Sequence, residues 1–282
     1  MDMLELMRTR TSVRSFAETP LPPDLSSRIT KLWEAERAGV PDLFDSDIRL
    51  KLLDGEQIKN GRLGTYGVIR SPQGFIAGLC PNEEHDLIAF GFRMERLLLA
   101  LRGEGIETCW LGGTFRRGAF TSLLAEGDGL IIPAVLPIGY SADRRGLQER
   151  IMRRLAGSDQ RRERSRLFFT GDDTHPFTNH DDRELSEAME MVRLAPSASN
   201  KQPWRLIVTE DRSQVDFYIE KSPAYNTSLG YPIQMLDMGI AMAHFDLAAE
   251  AFGRRCAWSR QQLTRSDRFT YTASCRWTQR QE

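Results

Sequence analysis

The chain has 282 residues, 40% apolar and 27% charged, and its 38 Lys+Arg against 39 Asp+Glu leave a formal charge of -1. This is the make-up of a soluble globular protein of one large or two ordinary domains, and it excludes a disordered chain or a collagen-like repeat. With so little net charge, no global field draws the chain to nucleic acid or to an anionic membrane, so any basic function must be local.

Apolar spacing predicts a helix over Asp2–Thr9. A second follows the Pro22-Pro23 start signal, carries Ile29, Leu32, Trp33 and Glu36, and ends near Gly39. The N-terminus places acids within its apolar stretch and arginines after it, the reverse of a secretory leader, so a cytoplasmic protein is expected. Residues 66–79 read as two short strands around a Pro72-Gln73-Gly74 turn. From about His85 to Arg102, Leu87, Phe90, Met94, Leu97, Leu98 and Leu101 recur at helical spacing until Gly103 and Gly105 stop the run. Residues 130–140 read as one buried strand; they hold Pro133 and Pro137 and are too short to cross a bilayer.

From Asp143 to Arg166 the chain is Arg-dense and then polar, which predicts a linker. Next come a helix over Asp182–Leu194, a hairpin of Arg205–Glu210 and Gln214–Glu220 around Asp211-Arg212-Ser213, and a long helix over Ile233–Phe252. A closing strand alternates Phe269, Tyr271, Ala273, Cys275 and Trp277 with Thr270, Thr272, Ser274 and Arg276, which predicts two distinct faces. Cys80, Cys109, Cys256 and Cys275 form no Cys-x-x-Cys pair, and His85, His175, His180 and His244 show no ligand spacing. Neither a disulfide scaffold nor a metal site is expected; buried free thiols and a core or capping His244 are.

A self-comparison at an offset of 148 matches Gly91 to Gly239, Met94 to Met242, Leu99 to Leu247, Ala100 to Ala248, Gly105 to Gly253 and Trp110 to Trp258. Helical periodicity alone aligns Leu and Ala, but not paired glycines and a tryptophan. The expectation is an α+β protein of two related halves forming an intrachain pseudo-dimer: residues 1–145, a linker over 146–181, and residues 182–282.

Three segments carry candidate chemistry. Arg10-Thr11-Ser12-Val13-Arg14 sets two guanidinium groups and a hydroxyl on alternate residues of an extended stretch, which suits a phosphate monoester; on its own it reads more readily as a solvated basic turn with Ser12 as a helix cap. Ala195-Pro196-Ser197-Ala198-Ser199-Asn200-Lys201-Gln202-Pro203-Trp204 joins a helix to a strand, with small residues that admit a flat ring and amides and hydroxyls that bond it. Thr108-Cys109-Trp110-Leu111-Gly112-Gly113 offers bare backbone to a ligand, or is simply a turn. There is no dinucleotide-binding G-x-G-x-x-G and no P-loop, and no nucleophile triad stands out, so no catalytic side chain is assigned.

Together these segments resemble the nitroreductase family of FMN-dependent oxidoreductases, over most of the chain. The resemblance implies a nitroreductase-like fold, an FMN phosphate held by Arg10, Ser12 and Arg14, and help from Arg144 or Arg145 after the Gly139-Tyr140 turn. It also implies ring and ribityl contacts from Pro196, Ser197, Ala198, Asn200 and Gln202, and a strip along the ring from Leu111, Gly112 and Gly113. In ordinary members the phosphate and Ala-Pro-Ser motifs lie close together in one chain. Here they are split between the halves, as in a fused, duplicated subgroup, so either a monomeric pseudo-dimer or a homodimer follows.

The implied activity is ping-pong: NAD(P)H reduces FMN, and a nitroaromatic, quinone or similar electron-poor acceptor reoxidises it. A non-catalytic flavin-binding or redox-responsive module is the alternative, and NAD(P)H oxidation separates the two. Binding of nucleic acid through the Arg-dense stretch is a weaker reading, because Asp143, Glu149, Asp159 and Glu163 interleave the charges and no aromatic platform accompanies them. A membrane partner is not expected.

Overall fold

The computed structural model describes residues 2–54, 64–124, 129–142, 160–178, 182–222 and 230–279. The first half contains α1 (Met3–Thr9), α2 (Leu25–Ala38), β1 (Arg49–Leu53), β2 (Gly74–Pro81), α3 (Glu84–Gly103), β3 (Glu107–Thr108), α4 (Arg117–Leu124), β4 (Leu130–Ile131) and β5 (Val135–Gly139). After β6 (Phe168–Thr170) come α5 (Arg183–Leu194), β7 (Trp204–Val208), β8 (Gln214–Ile219), α6 (Gln234–Ala251), β9 (Arg254–Ser259) and β10 (Thr270–Gln279).

The two sheets are wound alike. In the first, the antiparallel order is β1-β2-β5-β3, with β4 on the far end of β2. In the second it is β7-β8-β10-β9, with β6 added in parallel at the outer edge of β7. Leaving α1, α4, β4 and β6 aside, each half reads helix, strand, strand, long helix, strand, strand, and each sheet places the fourth of these strands between the second and third.

The two long helices, α3 and α6, pack directly on each other, and one apolar cluster runs through both, from Leu87, Phe90 and Met94 to Met238, Met242 and Phe245. They cross where both lack a side chain. A Cβ on Gly91 would strike the Leu236 carbonyl oxygen and lie 2.9 Å from its carbon; a Cβ on Gly239 would strike the Ile88 carbonyl oxygen and lie 2.6 Å from the Phe92 nitrogen. Only glycine permits so close a backbone approach. Leu236 and Ile88 are themselves 148 positions apart, as are Gly239 and Gly91, so the contact is reciprocal.

The helices follow the apolar periodicity closely, and Asp182 caps α5 by accepting from the Leu185 N–H at 2.9 Å. The strands depart from expectation in four places. Within residues 66–79 only Gly74–Pro81 is a strand; positive φ at Tyr66 (47°), Gly67 (75°) and Ser71 (49°) curls the rest, and the partner of β2 is instead the short β1. The expected strand over 130–140 is two, parted around Pro133. In β10 a register irregularity between Tyr271 and Ala273 turns Phe269 and Tyr271 to the side of Tyr218 and Phe169, while Ala273, Cys275 and Trp277 enter the main core. Finally, residues 164–170, inside the expected linker, form a 3-10 turn and then β6.

Among the described residues Cys80, Cys109, Cys256 and Cys275 are free, no group of side chains is set to hold a metal, and no helix is long and apolar enough to cross a membrane.

Candidate ligand site

The Arg10–Arg14 stretch leaves α1 and is threaded along the first sheet. The Val13 N–H donates to Thr108 O (3.0 Å), Arg14 O accepts from the Arg70 N–H (2.8 Å), and the Ala17 N–H donates to Tyr140 O (2.8 Å). Phe16 bridges to Ser141, so the segment lies beside the chain that leads out of β5 towards Arg144 and Arg145, which fall outside the described residues. Arg10 Nε and Arg14 Nη1 are buried with no protein partner, and Ser12 between them is half-buried. Donors left in this state cost free energy until something accepts from them, and an anion answers that need. Burial pulls the Arg10 guanidinium below its ordinary value, and the charge of Glu95 pulls it back.

The Pro196–Gln202 loop begins at the end of α5 and is held in an unusual shape. Ser199, Asn200 and Gln202 have φ of 49°, 53° and 49°, three left-handed residues among four, none of them glycine. Backbone strain of this kind persists only where the surroundings over-determine it, and it gathers at functional sites. Here the restraints are visible. Ser197 Oγ accepts from the Gln202 N–H (2.9 Å), and Arg161 Nη1 and Nη2 donate to the Ala195 and Leu194 carbonyls (3.0 and 2.8 Å), satisfying the last turn of α5. Asn200 Oδ1 accepts from Arg161 (2.8 Å) and its Nδ2 donates to Gln160 O (2.7 Å); Gln202 Oε1 accepts from the Arg162 N–H (2.8 Å). The structure thus commits the Asn200 and Gln202 side chains to residues 160–162, and leaves Ser197 and Ala198 as the partly exposed face of the loop.

Leu111 is buried, paired by two 3.0 Å backbone bonds to Val135. Beside it Gly112 is half-buried and Gly113 exposed. A Cβ on Gly112 would collide with Ile233 Cδ1, and Gly112 O takes Arg117 Nη2 at 3.1 Å with the Tyr231 hydroxyl at 3.0 Å.

One helix collects these pieces. Ile233, at the start of α6, abuts Gly112; Asp237, one turn on, accepts from the Ala198 N–H at 2.9 Å; and His244, two turns further, reaches Glu95 at 2.9 Å. Residues i, i+4 and i+11 share one face of an α-helix, so segments distant in sequence line a single stripe of α6. Glu95 closes the group. Its Oε1 faces His244 Nε2, its Oε2 accepts from Trp110 Nε1 (2.7 Å), and Arg10 lies in its field. Both ring nitrogens of His244 face acceptors, Nδ1 the Met191 carbonyl and Nε2 the Glu95 carboxylate, each at 2.9 Å, an arrangement that takes two N–H donors to satisfy. Burial alone would raise the Glu95 carboxyl, but the His244 bond and charge, with Arg10 and Trp110, hold it below the ordinary value.

The motifs pointed to neither Glu95 nor Asp237. The available signal was an acid inside an otherwise apolar helical stretch. An open groove of about 900 Å³ by Thr170, Asp172, His175, Glu210 and Arg265 contains none of these residues.

The family described as "Putative TM nitroreductase" matches residues 2–249, and the chain belongs to it. A "putative nitroreductase" from Thermotoga maritima shares the fold over 98% of this chain and 93% of its own, with a TM-score of 0.61 at 21% identity. A nitroreductase family protein from Clostridium novyi (TM-score 0.43, 19% identity) and a "putative nitroreductase" in complex with FMN from Exiguobacterium sibiricum (0.44, 15%) each align with 51% of this chain and with 87% and 90% of their own.

Proposed function

We propose that the chain is an FMN-dependent oxidoreductase that uses NAD(P)H to reduce nitroaromatics, quinones or similar electron-poor acceptors. The observation that carries the reading is the convergence of Gly112 and Ala198, from opposite halves, on adjacent turns of α6, with partnerless guanidinium nitrogens at Arg10 and Arg14. These residues fit FMN. Arg10, Ser12 and Arg14, joined by Arg144 or Arg145, would hold the phosphate. Leu111, Gly112 and Gly113 on one side and Pro196, Ser197 and Ala198 on the other would bound the ring, with Asn200 and Gln202 keeping the second loop in shape. Bound FMN supplies the hydride chemistry. The protein supplies the anion site, the orientation and a cleft that an acceptor and the nicotinamide enter in turn, so no single catalytic side chain is assigned and a cytoplasmic, NAD(P)H-supplied setting suits it.

The same reading makes the chain a duplicated unit that forms its own pseudo-dimer from residues 1–145 and 182–282, joined through 146–181. The like-wound sheets and the reciprocal glycine contact support it. It also accounts for a single site. By order of elements, the match to the Ala198–Asn200 turn is Asp42–Phe44, between α2 and β1, and there Phe44 stacks on Phe92 (centroids 3.7 Å, 5°) with Trp258 edge-on at 5.4 Å. Where the first half has Gly112 and Gly113, the positions 148 further on are Arg260 and Gln261. The second cleft is filled with core.

Arg14→Ala removes a charge-assisted contact of about 1.5–3 kcal/mol, so FMN should bind roughly tenfold to a hundredfold more weakly. Fluorescence titration measures it, and unchanged affinity would return Arg14 to a surface turn. With FMN bound, NAD(P)H should bleach the flavin and a nitroaromatic or quinone should restore its colour; a flavin that binds but is never reduced marks a non-catalytic module.

A further inference from the structure

Asp237 stands apart from the rest of its helix face. It is 2% exposed, its Oδ1 accepts from the Ala198 N–H, and its Oδ2 is buried without a partner. Ile233 and Ala241, one turn either side, are apolar, and no charged side chain among the described residues acts on the carboxyl. Burial pushes it up to about 8, against the pull of the Ala198 N–H. At neutral pH the group is therefore an acid with one hydroxyl donor unspent, in the wall against which Gly112 and Ala198 both rest.

The pseudo-symmetry sharpens the point. The two long helices share Gly91 and Gly239, Met94 and Met242, and Ala100 and Ala248, but the counterpart of Asp237 is Ala89. A carboxyl is thus absent from the half-helix whose cleft is filled by Phe44 and Phe92, and present where the cleft is lined by glycine and small residues. Helix packing alone does not call for it.

We propose that Asp237, as the neutral acid, is a ligand-contact residue whose Oδ2 hydroxyl donates to a carbonyl oxygen or bare ring nitrogen of the heteroaromatic ring held between Gly112 and Ala198. This rests on the flavin reading and deepens it. The donor selects rings with an acceptor at that edge, and its loss on ionisation turns a contact into a repulsion between carboxylate and acceptor.

The test is the pH dependence of FMN affinity in the full chain, by equilibrium fluorescence, from pH 7 to pH 9, where the FMN phosphate is already dianionic. For the wild type, the acid fraction falls about tenfold over this range for a group titrating near 8, and affinity should fall about tenfold with it. Asp237→Asn keeps an acceptor for Ala198 and puts a non-titrating donor at Oδ2, so its affinity should change by less than about twofold over the same range. Parallel profiles for wild type and Asp237→Asn would overturn the proposal while leaving the flavin site standing. If the variant does not fold, a flat wild-type profile alone overturns it. Failure of the wild type to bind FMN at pH 7 overturns the flavin reading, and this inference falls with it.

Discussion

Gly239→Ala should cost the fold about 3 kcal/mol or more and lower the melting temperature by roughly 6–12 °C. The added methyl meets the Ile88 carbonyl and the Phe92 nitrogen, which belong to a helix backbone and cannot rotate aside. The two long helices must separate, and the packing of Met94, Met242 and Phe245 around the crossing loosens with them. Gly91→Ala should behave alike, because its Cβ meets the Leu236 backbone. Gly118→Ala is the control. Nothing lies within 4 Å of that position in α4, and alanine there should stabilise by up to about 1 kcal/mol through helix propensity. Urea or thermal unfolding of the three variants distinguishes a steric crossing from a general intolerance of change.

Glu95→Leu should cost about 3–5 kcal/mol, since it strands the fully buried His244 Nε2 and takes the acceptor from the half-buried Trp110 Nε1. The pH dependence has a definite sign. The folded Glu95 carboxyl lies below its ordinary 4.5, so its contribution is fully present above that value and is lost as pH falls through the lowered one. Wild-type stability should therefore drop on the acid side more steeply than that of Glu95→Leu. Leucine at both Glu95 and His244 removes the stranded donor along with its partner and should recover much of the loss. A double variant no better than the single would show that the pair acts through shape alone.

The sequence reports what repeats and misses what depends on a partner. The helices stood out because Leu87, Phe90, Met94 and Leu97 keep helical period whatever packs on them. The matched glycines at 91 and 239 stood out for a sound reason, since each lies against the backbone of the other's helix. Strands β1 and β3 are too short for a period, and the face switch in β10 hides in a strictly alternating sequence because a register irregularity leaves the order of residue types untouched. The three site segments were recognisable by residue type. The meeting of two of them, at Gly112 and Ala198, on α6 was not, because Ile233 and Asp237 carry no motif. Asn200 and Gln202 show the reverse: their types suggest ligand donors, but Gln160–Arg162 takes up their side chains, a contact invisible until that segment returns to the second sheet through β6.

The central claim, one flavin site assembled from both halves, is most directly tested by the stoichiometry of FMN binding, followed by absorbance or fluorescence against protein concentration. The predicted result is saturation at one FMN per chain, with affinity weakened by Arg14→Ala in one half and by Asp237→Ala in the other. Two FMN per chain would contradict the filled counterpart cleft at Phe44, and no binding at micromolar FMN would contradict the site itself.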